Sequence, residues 1–429
     1  MDEIVALAKR RGFVFGSSEI YGGLNGAWDY GPVGVELKHN IRRAWWRDVV
    51  ELRDDVVGLD TSILMAADVW RASGHVDNFF DQMVDCKTCK KRFRADQLTG
   101  AQCPACGNAT LTQPRAFNMM FKTYVGAMED ASAQTYLRPE TAQGAFVDFK
   151  LAYQTARKKP PFGIAQIGKS FRNEITPGNF IFRSREFEQM ELEYFVPNRP
   201  PEQALEWYAR WVDERYRWWL ALGVMPERLR KHEYSGAELA HYSRATTDIE
   251  YDFPFGWGEL EGIAHRGTFD LEQHARASGK DLSFYDEQTK ESYLPAVIEP
   301  ALGVDRALLV FLIDAYEREP ERTVLHLHPR LAPYKAAVFP LVRNKPQLYE
   351  LAARIERSLR PRLRTSFDDS GNVGKRYYRQ DEIGTPYCVT VDYESLERAD
   401  VTVRERDSKA QERVSIDALA RYLENKLQT

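Results

Sequence analysis

The sequence predicts a mixed α+β body built on antiparallel strands, a small cysteine-bearing insertion, and a separate C-terminal α/β domain. Three observations carry this reading. Residues 171–195, FRNEITPGNFIFRSREFEQMELEYF, read as a hairpin, two strand-like runs joined by a turn at Pro177-Gly178-Asn179. Residues 245–310 alternate between turns in the manner of strands and end in a helix from Val304 to Tyr316. After the Pro-rich and charged stretch REPERTVLHLHPRLAP, the runs YKAAVFPLV, NKPQLYELAARIERSLR, PYCVTVDY and DVTVRERD read as strand, helix, strand and strand, the signature of a small α/β domain of its own.

Taken in order, residues 1–84 mix short helical patterns with the glycine-rich turns around Gly22, Gly23, Gly26, Gly31 and Gly34. They hold one amphipathic helix, VELKHNIRRAWWRDVVEL. Its apolar positions Leu37, Ile41, Trp45 and Val49 recur every fourth residue, so they share one face. Such a stripe is ordinarily core; a dimer interface is the sharper alternative. The cysteines come next, as Cys86-x-x-Cys89 and Cys103-x-x-Cys106. Each pair can chelate from one turn, and four thiolates complete a closed tetrahedral zinc site, structural because no position is left for water. Disulfides are the alternative, disfavoured where thiols are kept reduced. Residues 202–222 form a further helix whose aromatics are assigned to packing, and Cys388, in an apolar run, is assigned to a core rather than to nucleophilic chemistry.

Composition narrows the class of function. A chain of 429 residues with 43% hydrophobic and 28% charged side chains is expected to be a soluble protein of two or three domains. No apolar run approaches a membrane span and the start lacks the apolar centre of a signal peptide, so the expected setting is cytoplasmic, with no membrane partner. The net charge of -4 argues weakly against nucleic acid, yet basic side chains outnumber acidic ones after His326 and the reverse holds before it. A mildly basic tail on an acidic body permits nucleic acid there. No GxxxxGK[ST] and no GxSxG is present, which removes P-loop chemistry and the serine nucleophile elbow from consideration.

The hairpin carries residues that an ordinary hairpin does not. Counting by twos along its second run puts Arg183, Phe187, Gln189 and Glu191 on one face. An arginine on each run, Arg172 and Arg183, beside the Phe187 ring suits a nucleoside triphosphate, because guanidinium forks pair with phosphate oxygens while a ring stacks on a base. Glu174 can accept from an adenine amino group or help hold a magnesium ion. A surface hairpin with solvated salt bridges is the bland alternative. EPALGVDRALLVFLIDAY tips the balance: a glycine turn leads into a helix whose first turn presents Arg306, where the free N–H groups also favour phosphate.

Arg172, Glu174, Arg183 and Phe187, followed by Gly303 to Arg306, resemble motifs 2 and 3 of the class II aminoacyl-tRNA synthetases, and DYGPVGVELKHNIRRAWW resembles the dimer-forming motif 1. WDYGPVGVELK, WRASGH, YLRPETAQG, FRNEITPGNFIFRSREFEQME and VIEPALGVDRALL narrow the resemblance to the dimeric glycyl-tRNA synthetases, over nearly the whole chain. The resemblance implies an α+β catalytic domain over 1–325, its antiparallel sheet flanked by helices, interrupted by a zinc-knuckle insertion at 85–110 and a helical insertion at 197–245. An anticodon-binding domain follows over 326–429. It implies ATP with Mg2+ as substrate complex, glycine, tRNA(Gly) and a homodimer, while the structural Zn2+ rests on the cysteine spacing, since not every member carries these knuckles. ATP would be held by Arg172, Asn173, Glu174, Phe182, Arg183, Arg185, Phe187, Glu259, Leu260, Gly303, Asp305 and Arg306, with Arg172, Glu174 and Arg306 in catalytic roles. Glycine would sit among Arg94, Glu140, Glu188, Gln189, Glu191, Arg266, Glu299 and Ala301, the last standing where many members carry serine. The competing readings are an accessory subunit that keeps the fold to hold nucleic acid, and a class II synthetase for another amino acid.

Overall fold

The computed structural model describes residues 1–95, 98, 100–235 and 243–427. Parts of the cysteine insertion (96–97 and 99), of the 197–245 segment (236–242) and of the tail (428–429) lie outside the described residues. A seven-stranded sheet forms the body, in the order Leu229–Tyr234, Ala245–Phe253, Gly256–Gly267, Ala296–Gly303, Glu186–Val196, Phe162–Phe171 and Val56–Gly58. All neighbours are antiparallel except the last pair.

The two faces of this sheet have opposite characters, as the period of two along each strand requires. One face carries Met190, Leu192, Tyr194, Ile249, Tyr251, Ile263, Ile298 and Leu302 into the largest apolar cluster, under helices Pro32–Trp46, Pro201–Ala221 and Val304–Asp314. The other carries Phe187, Gln189, Glu191, Glu299, Ala301, Gly303, Gly262, Ala264 and Arg266 toward an open cleft. Phe162, Ile164, Phe195 and Val297 close the far end of that second face against Phe146, Phe149 and Leu271.

The Pro32–Trp46 helix starts where proline's fixed φ costs nothing, behind an extended Gly31. Gly34 lets it approach the preceding segment, since a Cβ there would stand 1.8 Å from the carbonyl oxygen of Phe13. Leu37, Ile41 and Trp45 are 0%, 0% and 1% exposed within one chain and belong to the main cluster, so the stripe is core and not subunit contact. Complete burial of each of these side chains is worth roughly 1.5–3 kcal/mol.

Two further expectations are revised. The hairpin strands end at Phe171 and begin again at Glu186, so Arg172, Glu174 and Arg183 lie in a long connection, not on the ladder itself. The 197–245 segment is not helical throughout: helix Pro201–Ala221 gives way to strand Leu229–Tyr234, which pairs with Ala245–Phe253 at the sheet edge. The edge strand satisfies its backbone by extending the body's sheet, and the helix covers that sheet's apolar face with Trp211 and Trp219.

The tail forms its own five-stranded sheet, ordered Thr365–Phe367, Ala336–Pro340, Tyr387–Val391, Asp400–Glu405 and Gln411–Ser415, with parallel pairing among the first three and antiparallel pairing beyond. Helix Pro346–Leu359 lays Leu348, Leu351, Ala352, Ile355 and Leu359 against it. Cys388 is buried in this sheet, where burial pushes its thiol up, consistent with packing and not nucleophilic chemistry. No described helix is long and apolar enough to cross a membrane.

Candidate active site

The cleft on the polar face of the body encloses about 370 Å³. Its first end is cationic and aromatic. Arg172, Arg183 and Arg306 line it with Phe182 and Phe187. Arg172 donates from Nε to the Pro139 carbonyl at 3.0 Å, and its guanidinium stands 5.3 Å from the Phe187 ring centre. Arg306, in the first turn of helix Val304–Asp314, donates to the carbonyls of Phe182 at 3.2 Å and Glu259 at 3.0 Å, pairs with the Glu259 carboxylate at 3.1 Å, and lies 4.4 Å over the Phe182 ring. Backbone carbonyls thus fix the angle of two guanidinium groups that line the cleft. Arg306, opposed by burial, and then Arg172 and Arg183 hold the Glu259 carboxyl low. Glu174 also lines the cleft, with its Oε2 buried and lacking a hydrogen-bond partner.

The second end is a wall of carboxylates. Glu191 accepts from the Thr141 backbone N–H at 3.0 Å, from the Thr141 hydroxyl, and from Gln189 Nε2 at 2.5 Å. Burial and the charge of Glu140 raise its carboxyl. Glu140 is held low, because His75 at 3.3 Å and Arg266 outweigh its burial. Arg266 donates from Nη1 to both oxygens of Glu299 at 2.9 Å and from Nε and Nη2 to Asp270 at 2.7 and 2.8 Å. Glu299 is nonetheless pushed up to about 8, because burial and the charges of Glu191 and Glu140 exceed what Arg266 returns.

Of the residues expected from sequence, the structure brings Arg172, Glu174, Phe182, Arg183, Phe187, Glu259, Gly303, Asp305 and Arg306 together at one end of the cavity. Glu140, Gln189, Glu191, Arg266, Glu299 and Ala301 gather toward the other. Four do not line it, besides one in the cysteine insertion. Glu188 has the opposite parity to Gln189, so it turns to the helix side, where Lys38 at 3.3 Å and Arg42 at 3.4 Å pair with it. Asn173 donates its backbone N–H to the Met119 carbonyl, and Arg185 spends its guanidinium on the carbonyls of Asn25 and Glu174. Leu260 is buried in the main core. Asp305 contributes less as a ligand than as a brace, accepting from Tyr30, Lys38 and the Glu188 N–H. Arg94 lies on the sheet of the cysteine insertion, 3.3 Å from Asp81.

Sequence reasoning missed Tyr234, Thr246 and Asp248, which also line the cleft; the Tyr234 hydroxyl donates to Asp248 at 2.8 Å. Burial, with the charge of Glu259, pushes Asp248 up to about 7. It also missed the braces His75, Thr141 and Asp270, for which only proximity to WRASGH, YLRPETAQG and Arg266 offers a signal.

In the cysteine insertion, built on strands Phe80–Asp85, Arg92–Arg94 and Arg115–Asn118, the Sγ atoms of Cys86, Cys89, Cys103 and Cys106 all lie within 4.8 Å of one another and form no disulfide. Four sulfur donors at that spacing fit a closed tetrahedral zinc site.

Comparison with known proteins matches two segments of the chain to family models. Residues 121–315 match the tRNA synthetase class II core domain (G, H, P, S and T), and residues 335–426 match the anticodon binding domain. Over the whole chain the sequence is 53% identical to the glycine–tRNA ligase of Thermobifida fusca (98% of the relative covered), 54% to that of Cutibacterium acnes (96%) and 52% to that of Streptomyces coelicolor (98%).

Proposed function

The chain belongs to the glycine–tRNA ligases, class II aminoacyl-tRNA synthetases, and from that premise we propose how its cleft divides the work. The enzyme activates glycine with ATP to glycyl-adenylate and transfers the glycyl group to tRNA(Gly). The observation that carries the division is a single cavity with arginines and aromatic rings at one end and carboxylates at the other.

Arg172, Arg183 and Arg306 receive the triphosphate, and Phe187 stacks on adenine. The partnerless oxygen of Glu174 suits the adenine amino group or a magnesium ion, which, when bound with ATP, supplies neutralisation of phosphate charge. Glycine lies with its ammonium against Glu191 and Glu299 and its carboxylate turned to the α-phosphate. Arg172 spans the junction: its guanidinium stabilises the charge that grows on the α-phosphoryl oxygens as the glycine carboxylate attacks in line and pyrophosphate departs. Catalysis is positioning and electrostatics, without a covalent enzyme intermediate. Side chains larger than glycine's are refused because the wall around the ammonium is polar, rigid and braced from behind by Thr141 and Arg266.

We assign zinc to Cys86, Cys89, Cys103 and Cys106 as a structural ion, and place the enzyme in the cytoplasm as a homodimer, with tRNA recognised by the tail. Exposed Ile20, Tyr21 and Leu24, 88%, 87% and 60% accessible, support a subunit contact near the N-terminal turns now that the Leu37 stripe is internal. A monomer mass by light scattering at micromolar concentration refutes the dimer. The functional reading is tested by pyrophosphate exchange with a panel of amino acids: exchange is expected with glycine, and none with alanine or serine at equal concentration. Absence of glycine-dependent exchange defeats the reading.

A further inference from the structure

Glu193 lies one step deeper along the Glu186–Val196 strand than the wall residue Glu191, on the same face. The pairing of that strand with Ala296–Gly303 sets Glu191 opposite Ala301 and Tyr194 opposite Ile298, a register that places Glu193 directly across from Glu299. Carboxylates facing one another on neighbouring strands repel, and no hydrogen bond relieves this pair from the Glu193 side. Glu193 is 1% exposed, and neither of its oxygens has a hydrogen-bond partner. The charged groups around it are Glu299 from the next strand, Arg266 from the strand beyond, Glu191 from its own, and Asp270 from helix Phe269–Ser278. Around Glu299 stand Arg266, Glu191 and Glu140, with His75 behind Glu140 and Gln143 and His274 beside Asp270. Arg266 donates to Glu299 and to Asp270 from Nε, Nη1 and Nη2, so one guanidinium answers an excess of carboxyl groups. A buried carboxyl with no hydrogen-bond partner is costly to ionise unless a positive charge enters beside it.

We propose that Glu193 and Glu299 share a proton across adjacent strands, and that glycine's ammonium takes its place at Glu299 as a proton leaves to solvent, with Glu193 the positioning residue that sets this exchange. The inference rests on the assignment of glycine to this end of the cleft. No bond but O–H is broken: the wall loses one proton and gains one ammonium, so its charge balance is kept. The substrate thereby replaces a proton instead of entering an already ionised, mutually repelling cluster. Selectivity gains as well, because an uncharged ligand cannot discharge the wall.

The direction with pH follows. Glu299 is pushed up to about 8, so its ionised form grows as pH rises toward that value, and glycine binding strengthens with it, levelling above. Below it, apparent glycine affinity should fall by about tenfold per pH unit, the slope of one proton. The test uses the intact enzyme and glycine as titrant, by calorimetry in two buffers of different ionisation enthalpy at pH 7, together with the pH profile of the glycine KM. Wild type should release about one proton per glycine bound. Glu193→Gln keeps the shape, cannot hold the proton, and can donate an amide N–H to an ionised Glu299. It should abolish most of the release and move the KM midpoint down by at least one pH unit, leaving the ATP KM within about twofold. Glu193→Met should move the midpoint in the same direction, and both variants should fold, since an acid without a partner holds little together. Glycine binding without proton release, or a midpoint unmoved in both variants, overturns the inference while leaving the site assignment intact. Failure of both variants to fold also overturns it. Failure of wild type to bind glycine overturns the site assignment itself.

Discussion

Replacing Glu191 by glutamine removes one charge from the carboxylate wall and little else. The side chain accepts from the Thr141 N–H at 3.0 Å, from the Thr141 hydroxyl and from Gln189 Nε2 at 2.5 Å, and it is 3% exposed. Alanine at this position strands those buried donors at about 1–3 kcal/mol each, so its loss of activity confounds glycine recognition with damage to the wall. Glutamine retains an acceptor oxygen toward Thr141 and gives up the charge-assisted bond to the ammonium. A hydrogen bond to a charged group is worth about 1.5–3 kcal/mol, or roughly 10- to 150-fold in kcat/KM. Glu191→Gln should therefore lose that factor for glycine in pyrophosphate exchange. The KM for ATP should stay within about twofold, because Arg172, Arg183, Phe187 and Arg306 bear no contact to it beyond the long-range field of Arg172. Glu191→Ala should lose more glycine activity and also melt several degrees lower, whereas Glu191→Gln should melt near wild type. Near-normal glycine kinetics in the glutamine variant place the ammonium elsewhere. Equal losses for ATP and glycine show that the residue supports the cleft as a whole.

Three further outcomes follow from the same geometry. Arg306→Ala should raise the ATP KM by about tenfold or more while leaving that for glycine nearly unchanged, since the guanidinium sits at the Phe182 end, away from the carboxylate wall; an unaltered ATP KM refutes its role. Protein purified without chelators should carry about one equivalent of zinc by metal analysis, and its removal should loosen residues 86–106 to proteolysis without abolishing adenylate formation; less than half an equivalent overturns the zinc assignment. A chain ending after residue 334 should keep glycine activation, lose at least tenfold in tRNA charging, and melt lower, because Ile383 leaves the main core and buried Arg322 loses Asp381 at 2.8 Å; unchanged charging defeats the tail's assignment.

What the sequence made legible was what depends on spacing along one chain segment. The fourfold recurrence of Leu37, Ile41 and Trp45 gave the helix, though not whether its stripe met another element or another subunit. Length decided that, since a chain large enough for a main core draws such a stripe inward. Parity along the hairpin gave Phe187, Gln189 and Glu191 on the cleft face, and the same count excludes Glu188 and extends to Glu193. The four cysteines were legible because their ligand geometry is local. The braces were not: His75 meets Glu140, Thr141 meets Glu191 and Asp270 meets Arg266 across distances in sequence that no periodicity links, apart from the last.

The least legible step is the one that separates two glutamates in GWGELEG. By alternation Glu259 and Glu261 share a face, and either could serve the cleft. The strand pairs Glu250 with Glu259 and Ile249 with Glu261, which leaves Leu260 as an extra residue in a β-bulge. That insertion reverses parity. Leu260 enters the apolar core, Glu261 turns to the buried Arg215 at 2.5 Å and to the Trp219 indole at 2.8 Å, and Glu259 turns to Arg306 in the cleft. Beyond it, Gly262 and Ala264 restore the cleft-facing count up to Arg266, where a second register shift between His265 and Gly267 leaves the arginine without a residue opposite. Its guanidinium reaches both Glu299 and Asp270. One strand thus supplies the brace of the arginine end and the countercharge of the carboxylate end, and two single-residue irregularities decide which side chains do so. Burial of Leu260 and Glu261's pairing with Arg215 stabilise the first irregularity from the core side. The orientation of Glu259 toward the cleft is therefore a consequence of packing on the far face of the sheet, where no motif for nucleotide binding would be sought.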